Sequence, residues 1–236
     1  MTGPAIDLVG AGPGDPRLVT RRAARLLAAA DVVVVDRPSL DPVAALARPG
    51  AERVYVGRTS GGGRAWTTDA IADLLAERAR AGRAVVRLKS GDPFVCSRGA
   101  EEMAALAERG VGCRVTPGVT AATAAPLAAG LPAGARVTIA SGDRDPEAAP
   151  VPWEDLADPA ASLVVLTGRA QQGEIARRLL AAGLPPDTPA AVVHAATRPD
   201  AEVVRTTLAG LGATRLPPPA AFVVGPDPEG GERAHP

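Results

Sequence analysis

In the first half of the chain, short apolar runs alternate with stretches in which apolar residues recur every three or four positions. The runs predict buried strands near residues 6–9, 32–35, 53–56 and 84–88, with a shorter strand near 113–116. The helical spacing predicts helices near residues 17–29, 69–81 and 101–109. Strands that alternate with helices are typical of a parallel sheet covered by helices, so we predict an α/β fold.

A second series of strands begins after residues 130–134, where glycine and proline interrupt the helical pattern. Strands are predicted near residues 136–140, 162–166, 190–193, 203–206 and 220–224, with a helix near 172–182. This half looks like a smaller α/β unit. We therefore expect an N-terminal domain over residues 1–118, a C-terminal domain over 119–225 and a flexible tail over 226–236.

A glycine-rich loop, Val9-Gly10-Ala11-Gly12-Pro13-Gly14-Asp15-Pro16, follows the first predicted strand. Its glycines allow a ligand to approach the main chain, and ligands bind open parallel sheets at the carboxyl ends of strands. The spacing differs from the G-x-G-x-x-G dinucleotide fingerprint, and Asp15 would repel a pyrophosphate, which disfavours a nicotinamide oxidoreductase. The loop favours a neutral or cationic nucleoside-like ligand; a tight turn that binds nothing is the alternative.

Two further loops repeat this design. Ser90-Gly91-Asp92-Pro93-Phe94 follows the strand near residues 84–88, and Pro117-Gly118-Val119-Thr120-Ala121-Ala122 follows the one near 113–116. The small residues of the third loop open a helix, whose free N–H groups are suited to a ligand carboxylate. Three spaced loops of this kind are more specific for a ligand site than one.

Composition and charge narrow the possible partners. The 236 residues carry 26 basic and 26 acidic side chains, so the formal net charge is zero, which argues against general binding of nucleic acids or membrane surfaces. Cys96 and Cys113 have no metal-binding spacing and only two histidines to join them, so no metal site is expected. The absence of a signal-peptide pattern and of a long apolar run predicts a cytoplasmic protein.

The three loops, with Asp36-Arg37 and Arg98-Gly99-Ala100-Glu101-Glu102, resemble the tetrapyrrole methylases, most closely those that methylate uroporphyrinogen III. The resemblance runs in order over nearly the whole chain. It implies a two-domain fold, with a parallel sheet in the N-terminal domain and a smaller mixed-sheet C-terminal domain. It also implies that S-adenosyl-L-methionine binds between the two domains and that the protein is usually a homodimer. The implied reaction is methylation at C2 and C7, which gives precorrin-2 for sirohaem or cobalamin.

The resemblance also implies roles for individual residues. Asp36, at the end of its predicted strand, is the candidate base, with Arg58 as a second catalytic residue; pairing of Asp36 with Arg37 or capping of the next turn is the alternative. Arginines suit an acceptor that carries eight carboxylates, so Arg37, Arg98 and Arg136 are candidate substrate ligands. The candidate contacts to the methyl donor are Pro13, Gly91, Asp92, Val95, Thr120, Ala121, Thr167 and Ala191.

Several acceptor-side segments depart from the family pattern. Pro132-Ala133-Gly134-Ala135-Arg136 stands where the family has Pro-Leu-Thr-His-Arg, and Cys96-Ser97-Arg98 stands where it has Phe-Gly-Arg. On the donor side, Thr167 stands where the family often has methionine. The departures keep other functions open. One is a methylase for a later corrin precursor or for a metabolite that is not a tetrapyrrole. Another is a catalytically weak protein that only binds the donor.

Overall fold

The computed structural model describes residues 3–57, 66–131, 134–142 and 150–225. The chain divides into two compact units, residues 1–120 and residues 121–236. The predicted tail at 226–236 and the candidate residue Arg58 lie outside the described residues. Among the helices that are described, none is both long and apolar enough to cross a membrane.

The described part of the first unit contains five strands and four α-helices. In chain order they are β1 Ala5–Gly10, α1 Arg21–Ala29, β2 Val32–Val35, α2 Asp41–Ala44, β3 Glu52–Tyr55, α3 Thr68–Arg80, β4 Val85–Lys89, α4 Gly99–Glu108 and β5 Gly112–Thr116. The strands form one sheet in the order β3-β2-β4-β1-β5, and every neighbouring pair is parallel. The predicted parallel sheet is confirmed.

Apolar side chains cover both faces of this sheet. Successive strand residues point to opposite faces, so Leu8 and Val9 enter different cores. Leu8 and Leu75 belong to the core under α3 and α4, whereas Val9 and Leu27 belong to the core under α1 and α2. Burial on both faces explains why β2 consists of four valines, since a strand with helices on both sides needs no polar face.

The order of the strands creates a place for a ligand. Strand β1 leads through α1 to β2, and its neighbour β4 leads through α4 to β5, so the chain leaves these two strands toward opposite faces and opposite edges. Beyond the loops that follow these strands, the two segments of the chain therefore part toward opposite faces of the sheet. A crevice at such a switch in strand order is where open α/β sheets bind ligands.

The predicted start of the first helix, near residue 17, was wrong. The structure has a short 3-10 helix over Pro16–Leu18 and a separate α-helix that begins at Arg21. Thr20 separates the two because its side chain accepts a hydrogen bond from the N–H of Ala23 at 3.1 Å. A capping threonine needs an extended backbone, so the helical pattern cannot continue through it.

The second unit holds a mixed sheet. Its elements are α5 Ala121–Ala129, β6 Val137–Ser141, β7 Ser162–Leu166, α6 Gln172–Ala181, β8 Pro189–His194, β9 Glu202–Thr207, α7 Leu208–Leu211 and β10 Ala220–Val224. The sheet order is β6-β7-β10-β8-β9; β6 and β7 are parallel, and the other neighbours are antiparallel. The mixed sheet implied by the family resemblance is confirmed.

The amino end of α3 offers a stability prediction. The Thr67 hydroxyl accepts a hydrogen bond from the N–H of Ala70 at 3.1 Å, whereas Thr68 is the first residue inside the helix. Thr67→Ala is expected to lower the free energy of unfolding by about 1 kcal/mol, because an N–H at the helix end loses its partner. Urea unfolding measures the change. Thr68→Ala is the matched control, and an equal loss in both variants would contradict the capping role of Thr67.

Candidate functional site

The loops after β1 and β4 are joined through their backbones. Gly12 and Gly91 form an isolated antiparallel bridge, in which Gly12 N donates to Gly91 O at 3.2 Å and Gly91 N donates to Gly12 O at 2.9 Å. Both glycines have a positive φ, 75° and 63°, a conformation that side chains disfavour. The two predicted loops therefore meet at the carboxyl end of the sheet.

The loop after β5 joins the same assembly. Asp92 Oδ2 accepts a hydrogen bond from the N–H of Gly118 at 3.1 Å, while its Oδ1 accepts one from the N–H of Phe94 at 2.8 Å. A Cβ added at Gly118 would lie 2.2 Å from the carbonyl oxygen of Gly91, and one added at Gly10 would lie 2.5 Å from Gly118 N. Only glycine permits this close contact between backbones. We use the name loop platform for the three joined segments, residues 10–15, 90–95 and 117–120.

Gly118→Ala is expected to disrupt the loop platform. The new methyl group collides with a backbone oxygen that no rotamer change can move, so the free energy of unfolding should fall by about 1–3 kcal/mol. Denaturant unfolding gives the value. Gly112→Ala, at the start of β5, is the control, since its Cβ would make its closest contact at an ordinary 3.4 Å. If both variants are equally stable, the close approach of the loops is not needed for folding.

Asp36 follows β2 and takes part in a buried ionic network. Its Oδ1 accepts a hydrogen bond from Arg87 Nη2 at 2.5 Å, and its Oδ2 accepts one from the N–H of Ser90 at 3.2 Å. Arg87 also donates to the Glu102 carboxylate through Nε at 2.8 Å and Nη2 at 3.1 Å. Lys89 Nζ donates to Glu102 Oε1 at 2.5 Å. We name Asp36, Arg87, Lys89 and Glu102 the charge network.

The charge network is neutral in sum and mostly hidden from water. Arg87 is 1% exposed, Glu102 3% and Lys89 5%, whereas the Asp36 side chain retains 20% of its surface. Burial alone would raise the pKa of Asp36, but the charges of Arg87 and Lys89 and the hydrogen bonds to its carboxylate hold that pKa below its ordinary value. Asp36 is therefore an ionised carboxylate near neutral pH, and it is the member of the network that solvent reaches.

The structure gives Asp36 an ionic partner other than the one that the sequence suggested. Its ionic partner is Arg87 and not Arg37, which is exposed and begins a 3-10 helix without a side-chain cap bond. Arg87, Lys89 and Glu102 were not singled out from the sequence as site residues. The signal for two of them was present, because charged residues alternate with apolar ones in the buried run Val85-Val86-Arg87-Leu88-Lys89.

The other predicted donor contacts of the first unit lie on or beside the loop platform. Pro13 and Val95 are half-buried, and each Asp92 oxygen that accepts one backbone N–H keeps a lone pair for a second donor. The acid of the first loop has a structural role. Asp15 forms an ion pair with Arg17 at 2.7 Å and accepts a hydrogen bond from the Arg17 N–H.

The predicted donor contacts of the second unit lie in different settings. Thr167, directly after β7, has a positive φ of 62°, and its hydroxyl lies 3.4 Å from that of Ser141. Gly168 follows it and packs against Gly142, where an added Cβ would lie 2.3 Å from a backbone atom. Ala191 is fully buried within β8 and presents no surface to a ligand in this structure.

Thr120 and Ala121 lie where the two compact units divide. Thr120 is the last residue of the first unit, and Ala121 begins α5 in the second. Both residues are half-buried. They are small residues at the amino end of a helix, as the sequence predicted, and their contact with a donor stays a prediction.

The predicted substrate arginines of the described chain are at least partly exposed. Arg98 Nε pairs with Glu101 at 2.5 Å, with its side chain 38% exposed. Arg136, in the second unit, pairs with Asp158 at 2.6 Å, with its side chain 63% exposed. Exposed ion pairs exchange their partners at little cost, so these guanidinium groups remain suited to a ligand carboxylate. No group of metal-ligating side chains is found among the residues that the structure describes.

Comparisons with known proteins agree on one family. The model for tetrapyrrole (corrin/porphyrin) methylases matches residues 6–212. A siroheme synthase of Neisseria meningitidis is 41% identical over 94% of this chain, but the match spans only 47% of that protein, so the chain covers about half the length of this relative. A uroporphyrinogen-III C-methyltransferase of Paracoccus denitrificans is 40% identical over 93% of the chain and 80% of that protein.

Solved structures give the same result for the fold. The crystal structure of uroporphyrin-III C-methyl transferase from Thermus thermophilus, complexed with S-adenyl homocysteine, superposes with a TM-score of 0.78. It is 39% identical in sequence, and the match covers 94% of this chain and 92% of that one.

Proposed function

Because this chain belongs to the tetrapyrrole (corrin/porphyrin) methylases, we propose that it is an S-adenosyl-L-methionine-dependent C-methyltransferase acting on uroporphyrinogen III. Methylation at C2 and C7 would give precorrin-2, the precursor of sirohaem and cobalamin. The observation that carries the proposal is the ionised, solvent-reachable Asp36 at the same sheet edge as a platform of three small-residue loops. A cytoplasmic homodimer belongs to the same proposal, and light scattering of the purified protein tests the dimer.

The residues at this edge fit S-adenosyl-L-methionine. The loop platform presents backbone groups and small residues, which suits a flat nucleoside, and the hydroxyl of Thr116 at the end of β5 is buried without a hydrogen-bond partner in the described part of the chain. When bound, this group supplies a methyl on a positively charged sulfur and is left as the neutral thioether S-adenosyl-L-homocysteine. Pro13, Gly91, Asp92, Val95, Thr120, Ala121 and Thr167 are the residues that we propose hold it; Ala191, which is fully buried, is left out of this set.

The chain itself has to orient the acceptor and accept a proton. Formation of the new bond between carbon and the methyl group leaves a cationic ring, and this ring must lose a proton to become neutral again. Asp36 is the proposed acceptor of that proton, since its carboxylate is ionised and its Oδ atoms lie at the sheet edge. Its lowered pKa makes it a weak base, which suffices because a cationic ring is a strong carbon acid.

Cations of the chain have to match the carboxylates of the acceptor. Arg37, Arg98 and Arg136 are the proposed partners, since the planar guanidinium forms two parallel hydrogen bonds with a carboxylate. Arg58 is proposed to assist at the reacting ring, as the resemblance implies. The altered segment 132–136 favours a second candidate, a methylase of the same fold with another corrin precursor as its acceptor.

The proposal is tested by anaerobic incubation of the protein with S-adenosyl-L-methionine and enzymatically generated uroporphyrinogen III. The expected result is a tetrapyrrole that has gained two methyl groups and that oxidises to the absorbance spectrum of sirohydrochlorin. Calorimetric titration with S-adenosyl-L-homocysteine is run in parallel. Donor binding without methyl transfer to uroporphyrinogen III, but with transfer to a later corrin precursor, would favour the second candidate. Donor binding without transfer to either acceptor would favour a binding protein.

A further inference from the structure

Arg87 is an unusual residue for the centre of a parallel sheet. It lies in β4 between two neighbouring strands, it is 1% exposed, and its apolar neighbours in the sequence are Val86 and Leu88. Burying a guanidinium requires that its charge and its donors find partners in the protein. A packed sheet at this position has no need of a cation, since an apolar residue would fill it.

Every nitrogen of the Arg87 guanidinium is held. Nε donates to Glu102, Nη2 donates to both Glu102 and Asp36, and Nη1 donates to the carbonyl oxygens of Val34 and Leu88 at 3.4 and 3.2 Å. The side chain is therefore fixed in its plane by contacts from β2, β4 and α4. A rigid planar donor with several anchors gives its carboxylate partner one orientation.

Lys89 completes the arrangement by sharing Glu102. The single negative charge of Glu102 neutralises only part of the positive charge of Arg87 and Lys89. The Asp36 carboxylate balances the remaining positive charge. The second oxygen of Asp36 is held by the N–H of Ser90 at 3.2 Å. Both carboxylate oxygens are thus fixed, although the side chain remains open to solvent on one side.

We propose that Arg87 is a positioning residue for Asp36, with Glu102, itself bonded to Lys89, holding the guanidinium so that the Asp36 carboxylate faces the acceptor in one orientation. This inference rests on the proposed function. Precise placement matters because a displacement of about 1 Å at a reacting group can cost on the order of a hundredfold in rate. Ionisation matters as well, since a base has to be deprotonated before the acceptor arrives. The groups that act on Asp36 are Arg87 and Lys89 of β4 and the Ser90 N–H, while Glu102 of α4 contacts both cations.

The test uses Arg87→Lys, which keeps the charge but loses the planar fork. We expect kcat for uroporphyrinogen III to fall by about tenfold to a hundredfold, with the affinity for S-adenosyl-L-homocysteine unchanged. The decisive comparison is made in the Asp36→Asn background. If Arg87 acts through Asp36, Arg87→Lys adds no further loss there, whereas a general structural role multiplies the two losses. Full multiplication, or an unchanged kcat in the single variant, would overturn the proposal.

Arg114→Lys is the matched control. Like Arg87, Arg114 bonds to an aspartate that belongs to or follows a neighbouring strand, here from Nε and Nη2 to Asp7 at 2.9 and 2.7 Å, but Asp7 belongs to the middle of β1 and not to the sheet edge. Its kcat should match that of the unchanged protein. A loss equal to that of Arg87→Lys would mean that any arginine–aspartate pair between strands has this effect.

A second readout does not depend on the reaction. The carboxyl carbon of Asp36, followed by NMR in protein labelled at aspartate, is expected to titrate at a higher pH in Arg87→Lys than in the unchanged protein, because the fork no longer stabilises the charged form. An unchanged titration would overturn the positioning role. If the protein instead fails to methylate uroporphyrinogen III while Asp36 titrates as expected, it is the proposed function that fails.

Discussion

Asp36→Asn is expected to lower kcat for uroporphyrinogen III by about 10²- to 10⁴-fold, the usual contribution of a positioned base. Asparagine keeps the shape of the side chain and can still accept a hydrogen bond from Arg87, but it cannot take a proton from the ring. Donor affinity should not change, because Asp36 is not one of the proposed donor contacts and meets the loop platform only through the N–H of Ser90 at 3.2 Å. Steady-state rates under anaerobic conditions and calorimetric titration with S-adenosyl-L-homocysteine measure the two quantities.

Asp41→Asn is the control for this substitution. Asp41 is the next acid along the chain and lies at the start of α2, where it accepts a hydrogen bond from the Tyr55 hydroxyl at 2.5 Å on the surface. Its removal should change kcat by less than about twofold, since exposed polar contacts contribute little. An Asp36→Asn variant that is as active as this control would exclude Asp36 as the base.

The pH dependence of the rate follows from the direction of the Asp36 pKa shift. A carboxylate held below its ordinary pKa stays charged as the pH falls, so the acid limb of kcat due to Asp36 should lie below about pH 4. The free energy of unfolding depends on pH in the same direction. The contribution of the charged Asp36 is fully present above the pKa that Asp36 has in the unfolded chain, and it is lost as the pH falls through its pKa in the folded protein. If kcat shows no decrease that is due to Asp36 from about pH 5 upward, the profile agrees with the lowered pKa of this group. An acid limb near pH 6 that is due to Asp36 would contradict the structure.

The central strands β2, β4 and β7 were predictable because every one of their residues is buried. Runs such as Val32–Val35 are apolar throughout, and in a parallel sheet with helices on both faces a strand has no reason to be anything else. The bounds of helix α5, which was expected to begin at the third loop, were not predicted, for the opposite reason. Most of its residues are alanine, with Pro126 inside, so it shows no contrast between two faces and no helical period to detect.

The partners of Asp36 were beyond prediction for a topological reason. Asp36 and Arg87 are 51 positions apart in the chain, and their contact depends on β2 and β4 being neighbours in the sheet order β3-β2-β4-β1-β5. Sequence alone suggested Arg37, which is adjacent in the chain. The carboxyl ends of parallel strands lie at one edge of the sheet, however, so residues that follow different strands meet there. Only the order of the strands in the sheet determines which of these residues are neighbours.

Arg87→Met is expected to lower the free energy of unfolding by about 3–5 kcal/mol, because it leaves carboxylates without their cation in a buried network. Such a loss is a large share of the stability of an ordinary domain, about 5–15 kcal/mol in total. Arg177→Met is the control. Arg177 makes an equally close pair with Glu174 at 2.6 Å, but its side chain is 68% exposed, so its loss should leave the free energy of unfolding almost unchanged. Denaturant unfolding at neutral pH measures both variants.

Two further measurements separate charge from packing as the cause of this loss. In Arg87→Met/Glu102→Met the remaining members, Asp36 and Lys89, are again neutral in sum, so the double variant should be more stable than Arg87→Met alone. The loss should also shrink as the pH falls, since without Arg87 the pKa of Asp36 rises and protonation removes the unpaired charge. The opposite result would be a loss in Arg87→Met that is the same at every pH and that becomes larger when Glu102→Met is added. It would show that Arg87 stabilises the sheet through packing and not as a counter-ion of Asp36 and Glu102.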